Sequence, residues 1–248
     1  MAPKLQNRLY ICTGMKNKLF LVPAPLGDNA PEEVIPSAVP KAIAHVRHFA
    51  VEEIRTARRY LSKIGFKGQI DGLSFYEINE HSAYGDLEEM FGVLASGEDM
   101  ALISEAGLPA VADPGAALVA FAHSRGVQVV PFVGPSSLML ALMASGMNGQ
   151  CFAFTGYLPV KQEERKKRIR NLEIRSKKNN ETQIIIETPY RGDALLADIL
   201  SVCDAGTRIC VAANLTMPDA FVRTASVNEW KASPVEIGKR PAVFLIMA

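Results

Sequence analysis

Three loops of small residues hold the groups best suited to bind a ligand. The first is Pro23-Ala24-Pro25-Leu26-Gly27-Asp28, after the apolar run Leu19–Val22. The second is Ser104-Glu105-Ala106-Gly107-Leu108-Pro109, continued by Asp113-Pro114-Gly115, after Met100–Ile103. The third is Val133-Gly134-Pro135-Ser136-Ser137, after another apolar run. Glycine and small side chains let a ligand lie against the main chain, where backbone N–H groups and a helix start can hold it. Polar groups of other kinds fall at neighbouring strand ends: Glu52, Glu53 and Arg55, then Glu77, Asn79, Glu80 and His81, then Arg191. No Ser/His/Asp or Cys/His nucleophile arrangement is present. The four histidines form no HExxH or Cys/His cluster, so no metal site is expected.

The elements around these loops follow from periodicity. Strands are predicted at 19–23, 46–51, 73–78, 99–104 and 127–133. Helices are predicted at 31–43, 53–64, 84–96, 115–124 and 136–146, with Ser136 or Ser137 as a cap. Such alternation gives a doubly wound, mostly parallel sheet whose strand ends share one ligand-binding edge. After the turn Met147–Gln150 the pattern changes. Strands at 151–156 and 182–187 and helices at 161–178 and 191–202 lead to three closely spaced strands at 207–213, 220–225 and 241–247. Crowded strands pair antiparallel, so a mixed second sheet is expected. The fold class is therefore α/β, with two α/β domains and an active-site cleft between them. The N-terminal domain is 18–133, a helix and linker occupy 134–150, and the C-terminal domain is 151–248. Met15 reads as a natural start, and residues 1–17 as a poorly ordered leader.

Composition narrows the class. The 248 residues carry a net charge of +1 and are 48% hydrophobic, enough for real cores. No apolar run nears the ~20 residues of a membrane span. Four scattered cysteines without CxxC spacing suit reduced thiols in the cytoplasm. Charge is concentrated in Lys161–Lys178, where nine basic and three acidic residues give +6 and leave −5 for the remainder. A basic helix on a slightly acidic chain fits phosphate binding. It also fits a solvated helix with Glu163 and Glu164 paired to Lys167 and Arg168 at i+4. No RNA-binding fingerprint is visible.

The three loops, with Glu187-Thr188-Pro189-Tyr190-Arg191 and Asn214-Leu215-Thr216, stand in the order and spacing of the S-adenosylmethionine-dependent tetrapyrrole methylase family. The chain resembles that family from Lys18 onward. Within it, the resemblance is strongest to the branch that methylates a cytidine ribose 2′-oxygen in 16S small-subunit ribosomal RNA. This implies S-adenosylmethionine as cofactor, ribosomal RNA or the small ribosomal subunit as partner, a homodimer and a cytoplasmic location, with no membrane. It implies cofactor contacts at Pro25, Ser104, Glu105, Ala106, Gly107, Asp113, Ser136, Ser137, Tyr157, Leu158, Pro189 and Leu215. Acceptor contacts are expected at Gly27, Asn79, Lys166, Lys167, Arg168 and Arg191. A ribose hydroxyl is a poor nucleophile, so Glu52, Arg55 and Glu80 are the candidates for catalysis. The chain departs from the family at Glu105 (usually Asp), at Leu108 (usually Thr), and at Asn214 and Met217, which replace the Glu and Lys of Glu-Leu-Thr-Lys. Alternatives are methylation of a tetrapyrrole or other small molecule, or a catalytically impaired, ribosome-associated cofactor binder.

Overall fold

The computed structural model describes residues 17–79 and 87–248. They form two compact units. Of the described residues, one comprises 17–24 with Pro31–Gly134, the other Pro25–Ala30 with Pro135–Ala248. The chain thus leaves the first unit for six residues and leaves it again after Gly134.

In the first unit the chain runs β1 (Lys18–Val22), α1 (Pro31–Val34), α2 (Ala38–Ile43), β2 (His48–Val51), α3 (Ile54–Leu61), β3 (Ser74–Glu77), α4 (Glu88–Ala95), β4 (Met100–Ile103), α5 (Ala116–Ser124) and β5 (Gln128–Pro131). The strands pair in the order β3-β2-β4-β1-β5, all parallel. β4 is central, and its four residues are all buried. Alternate side chains fill two cores. Phe20, Val22, Phe49, Val51 and Ile103 face one; Leu19, Ala50, Met100 and Leu102 face the other. This is the parallel sheet expected from the alternation, buried on both sides.

Two helices differ from the periodicity. The segment 31–43 is broken into α1 and α2, because Pro36 cannot continue a helix and disfavours helical backbone before it. α3 stops at Leu61 in a π-turn over Ser62–Phe66, where Gly65 takes φ +114°. Asn17, placed with the leader, is buried and donates to the carbonyls of Leu94 and Glu98. Glu80 and His81 lie outside the described residues, as does the start of the helix predicted from residue 84.

The second unit runs α6 (Ser137–Ser145), β6 (Phe152–Gly156), α7 (Gln162–Asn179), β7 (Thr182–Glu187), α8 (Gly192–Val202), β8 (Arg208–Ala213), β9 (Phe221–Ser226), α9 (Val227–Ala232) and β10 (Ala242–Met247). The strand order is β6-β7-β10-β8-β9. Only β6 and β7 are parallel; the other pairs are antiparallel, giving the mixed sheet. Ile185, Val211, Phe244 and Ile246 pack beneath Ile169, Leu172, Leu196 and Trp230 on one face. Leu138, Ala141 and Leu142 of α6 cover Ile184, Ala212, Val243 and Leu245 on the other. The helix within 134–150 is therefore part of the second unit's core. α9 was not anticipated. Its capping box, with Ser226 and Glu229 bonding reciprocally, and wholly buried Trp230 hold it in place.

Candidate active site

In the first unit the starts of the first and third small-residue loops meet the loop after β4 at the carboxyl edge of the parallel sheet. Ala24 and Gly107 exchange backbone hydrogen bonds of 2.9 and 3.0 Å, joining the loops after β1 and β4. A Cβ on Gly134 would lie 2.2 Å from Pro23 Cβ, so the loop after β5 closes against the same point. Tyr60 of α3 donates to the Pro23 carbonyl at 2.7 Å. Four chain segments are thus fixed around one edge of the sheet.

The loop after β4 follows an unusual path. Gly107 and Gly115 take positive φ, and so do Ala110 and Ala112, both at +63°. Left-handed backbone is uncommon for non-glycine residues, and it concentrates at sites where the surroundings enforce it. At Gly115 a side chain would also strike Leu102, 2.5 Å away.

Carboxylates gather here. Glu52 and Glu53 follow β2; Glu105 and Asp113 lie in the loop after β4. Burial, then the charge of Glu52, pushes Asp113 up to about 6, although Ser104 hydrogen-bonds to it. Burial, then Glu52 and Glu53, raises Glu105, which is within hydrogen-bond reach of Thr56. Glu53 caps α3; the Thr56 hydroxyl (2.7 Å), then the N–H groups of Arg55 (2.8 Å) and Thr56 (2.7 Å), donate to it and lower its pKa. Asp113 and Glu105 are raised by burial first and by neighbouring like charge second. A cationic ligand would remove that penalty. The sulfonium and ammonium of S-adenosylmethionine are such cations, so Ser104, Glu105 and Asp113 fit the group.

The other candidates are placed as follows. Glu52 is half-buried next to Glu105 and Asp113; Arg55 is exposed on the first turn of α3; Asn79 is exposed past β3, an edge strand. Ala106 is exposed beside Gly107.

The second unit holds a separate set. Gly27 packs against Met217, whose Sδ stands 2.7 Å from where a Cβ would be. This is the role of the residue that replaces the family's Lys. Asn29, which the sequence did not single out, forms a reciprocal pair with Thr216. Its amide donates to the Thr216 carbonyl at 2.7 Å, and the Thr216 hydroxyl donates back at 2.8 Å. The pair holds Thr216 at φ +72°, beside Asn214 at +48°. Asn214, in place of the family's Glu, is a residue that tolerates this conformation and donates to Asp219 at 2.8 Å. Leu215 packs against the core beneath α6. Ser136 caps α6, Ser137 opens it, and Pro25 is half-buried. Tyr157 is exposed, and Leu158 is buried in the core at 3% exposure. Pro189 is half-buried, and Arg191 makes a 2.6 Å ion pair with buried Glu187.

On α7 the charges divide. Arg165 is buried and bound to Asp198 at 2.6 Å, so it is a structural cation. Lys166 is half-buried, 3.7 Å from the same carboxylate. Lys167 and Arg168 are exposed. The anticipated pairing of Glu163 and Glu164 with Lys167 and Arg168 is not formed; Glu164 meets Lys161 instead, at 3.6 Å. Among the described residues no group of three metal-ligating side chains is found. Among them also, no helix is long and apolar enough to cross a membrane.

The parallel sheet with glycine loops at its carboxyl edge and the mixed second sheet define a class of two-unit α/β proteins. The family model for tetrapyrrole (corrin/porphyrin) methylases matches residues 37–230, and the chain belongs to that family. Among its curated relatives is the ribosomal RNA small subunit methyltransferase I of Pseudomonas aeruginosa, 31% identical over 92% of this chain and 78% of the relative. The protein of the same name from Vibrio cholerae is 32% identical over 80% of this chain and 65% of the relative. The chain thus spans just under two thirds of the Vibrio protein. Among solved structures, diphthine synthase superposes with a TM-score of 0.63 over 94% of this chain and 90% of its own, at 14% identity. That likeness is one of fold.

Proposed function

We propose that this chain is an S-adenosylmethionine-dependent methyltransferase of small-subunit ribosomal RNA, acting on a cytidine ribose 2′-oxygen. The 31% identity to the Pseudomonas aeruginosa enzyme, over nearly the whole chain, carries this function. The carboxylate-rich loops and the exposed cations of α7 support it.

When bound, S-adenosylmethionine supplies a methyl group on a positively charged sulfur. The residues present have three tasks. Ser104, Glu105, Ala106, Gly107 and Asp113 hold the cationic end. Pro25, Ser136, Ser137, Tyr157, Leu158, Pro189 and Leu215 supply the remaining cofactor contacts. The ribose oxygen has to be brought in line, with water excluded. S-adenosylmethionine held by these residues would supply the methyl group and leave as the neutral thioether. The hydroxyl proton leaves to a base, and Glu52, with Asp113 and Glu105 beside it, is the described candidate. Arg55 and Glu80 complete the proposed catalytic set. Gly27, Asn79, Lys167, Arg168 and Arg191 contact the acceptor, with Lys166 in a lesser part.

The enzyme acts in the cytoplasm as a homodimer. Met139 and Met143 project from α6, and Phe152 and Phe154 from the edge strand β6, all four exposed. Phe154 is in register with Ile184, on the face that α6 covers. No charged residue occurs from Gly126 to Val160. Exposed apolar side chains within a stretch of sequence that carries no charge suit a protein partner.

The test is transfer of a labelled methyl group from S-adenosylmethionine to small ribosomal subunits from a strain lacking this protein. Label mapped to a ribose 2′-oxygen is expected. Cofactor binding without transfer would point to another acceptor or to a binding protein.

A further inference from the structure

α7 is not the only concentration of positive charge. From Ile54 to Ile70 the chain has five basic residues, Arg55, Arg58, Arg59, Lys63 and Lys67, and no acidic one. This +5 and the +6 of Lys161–Lys178 leave −10 on the rest of a chain whose net charge is +1. Four of the five recur at every fourth residue: Arg55, Arg59, Lys63 and Lys67. Arg55, Arg59 and Lys63 are four apart and lie on one side of the helical stretch, and Lys67 follows the break at Ile64 and Gly65. The opposite side is the buried one, with Ala57, Tyr60 and Leu61 in the first unit's core.

The fifth cation is accounted for. Arg58 is ion-paired with Asp71 and lies over the Phe75 ring, 5.7 Å from its centre. The four in the row are exposed. Among the described residues Arg59, Lys63 and Lys67 make no ion pair. The row starts beside the candidate site, where Glu53 caps α3 and Thr56 is within reach of Glu105. From Arg55 to Lys63 it extends about 12 Å at the helical rise.

We propose that this row is a second phosphate track, which holds the backbone of the RNA acceptor as it leads away from the site. The inference rests on the RNA reading above. Its chemistry is that of a polyanion with repeating charges: long, mobile cations in a line, each able to displace a counterion from a phosphate. A membrane surface would need large apolar side chains on the same face, and none is exposed between Ile54 and Ile70. A protein partner would be expected to find an aromatic or aliphatic anchor, and the row has none.

The test is the salt dependence of binding to a fluorescein-labelled single-stranded RNA, for the full chain and for the triple variant Arg59→Gln/Lys63→Gln/Lys67→Gln. The loss of three phosphate contacts lowers the slope of log K against log salt by about 2 and weakens binding roughly tenfold at moderate salt. A control, Lys41→Gln/Arg125→Gln/Lys231→Gln, removes the same charge elsewhere and leaves the slope unchanged. Cofactor affinity by calorimetry and the melting temperature of the triple variant stay at the wild-type values. RNA binding by the wild type that the triple variant retains with an unchanged slope would overturn the track alone. An equal loss in the control would overturn it too. Failure of the wild type to bind RNA at all would overturn the acceptor reading, and the track with it.

Discussion

Asp113 is where the site's electrostatics can be measured one residue at a time. Its pKa stands at about 6 against an ordinary 3.8, because burial and Glu52 disfavour its charged form. Between those values the folded chain holds a proton that the unfolded chain has released. Stability of the cofactor-free protein therefore falls as pH rises from 3.8 to about 6, and this contribution is constant beyond. Glu105 shifts in the same direction and adds to it. A bound cation reverses the preference, so cofactor affinity climbs as pH passes through about 6. Asp113→Asn should remove its share of both dependences: the melting temperature varies less with pH, and calorimetry gives a weaker, flatter affinity. An unaltered pH profile in the variant would place the cation elsewhere.

Gly134 gives a second prediction at this scale, through packing. The 2.2 Å approach to Pro23 involves a rigid ring that cannot swing aside. Gly134→Ala should therefore cost on the order of 1–3 kcal/mol by overpacking, measured by urea unfolding. It should also loosen the junction that Ala24 and Gly107 stitch together.

Among elements, α7 separates a structural from a functional positive charge. Arg165 lies under the helix with its guanidinium on Asp198 and on the Val160 carbonyl. Arg165→Ala leaves a buried carboxylate short of its main partner and should cost about 3–5 kcal/mol in unfolding free energy. Lys167→Glu/Arg168→Glu alters only exposed side chains. It should keep the melting temperature and cofactor affinity but weaken RNA binding; unaltered RNA affinity would remove α7 from the acceptor surface. The +6 of the segment was legible in the sequence, but its division was not. The period Arg165, Ile169, Leu172, Ser176 marks the buried face, yet nothing local announces that Asp198, thirty-three residues on, receives the arginine. Most strands were legible as short apolar runs, and those at Val22, Pro131 and Gly156 also end at Pro or Gly. α9 was missed because six residues with two buried positions carry too little periodicity, although Ser-x-x-Glu stood in plain view. Asn29 was missed for a different reason. Its partner Thr216 is 187 residues away, and no local rule reads such a pair.

At the scale of the whole molecule, the distribution of charge is the organising fact. Two basic segments stand on an otherwise acidic chain, and one long stretch, Gly126–Val160, carries no charge at all. A stretch without cations is a poor surface for RNA, and one that leaves Met139, Met143, Phe152 and Phe154 exposed is a costly surface for water. β6 adds to this as an edge strand without a charged residue, a type that proteins ordinarily protect by covering it. A second copy of the chain, meeting this face across a two-fold axis, would bring like to like without charge repulsion. Sedimentation equilibrium should then give a dimer at micromolar concentration. Met143→Glu/Phe154→Glu should yield a monomer with an unchanged circular dichroism spectrum, since both side chains are exposed in the single chain. A wild-type monomer at those concentrations would leave the face to a different protein. Dissociation with methyl transfer intact would mean that each chain completes its own site. Dissociation with transfer lost and cofactor affinity kept would mean that the acceptor is held by both copies.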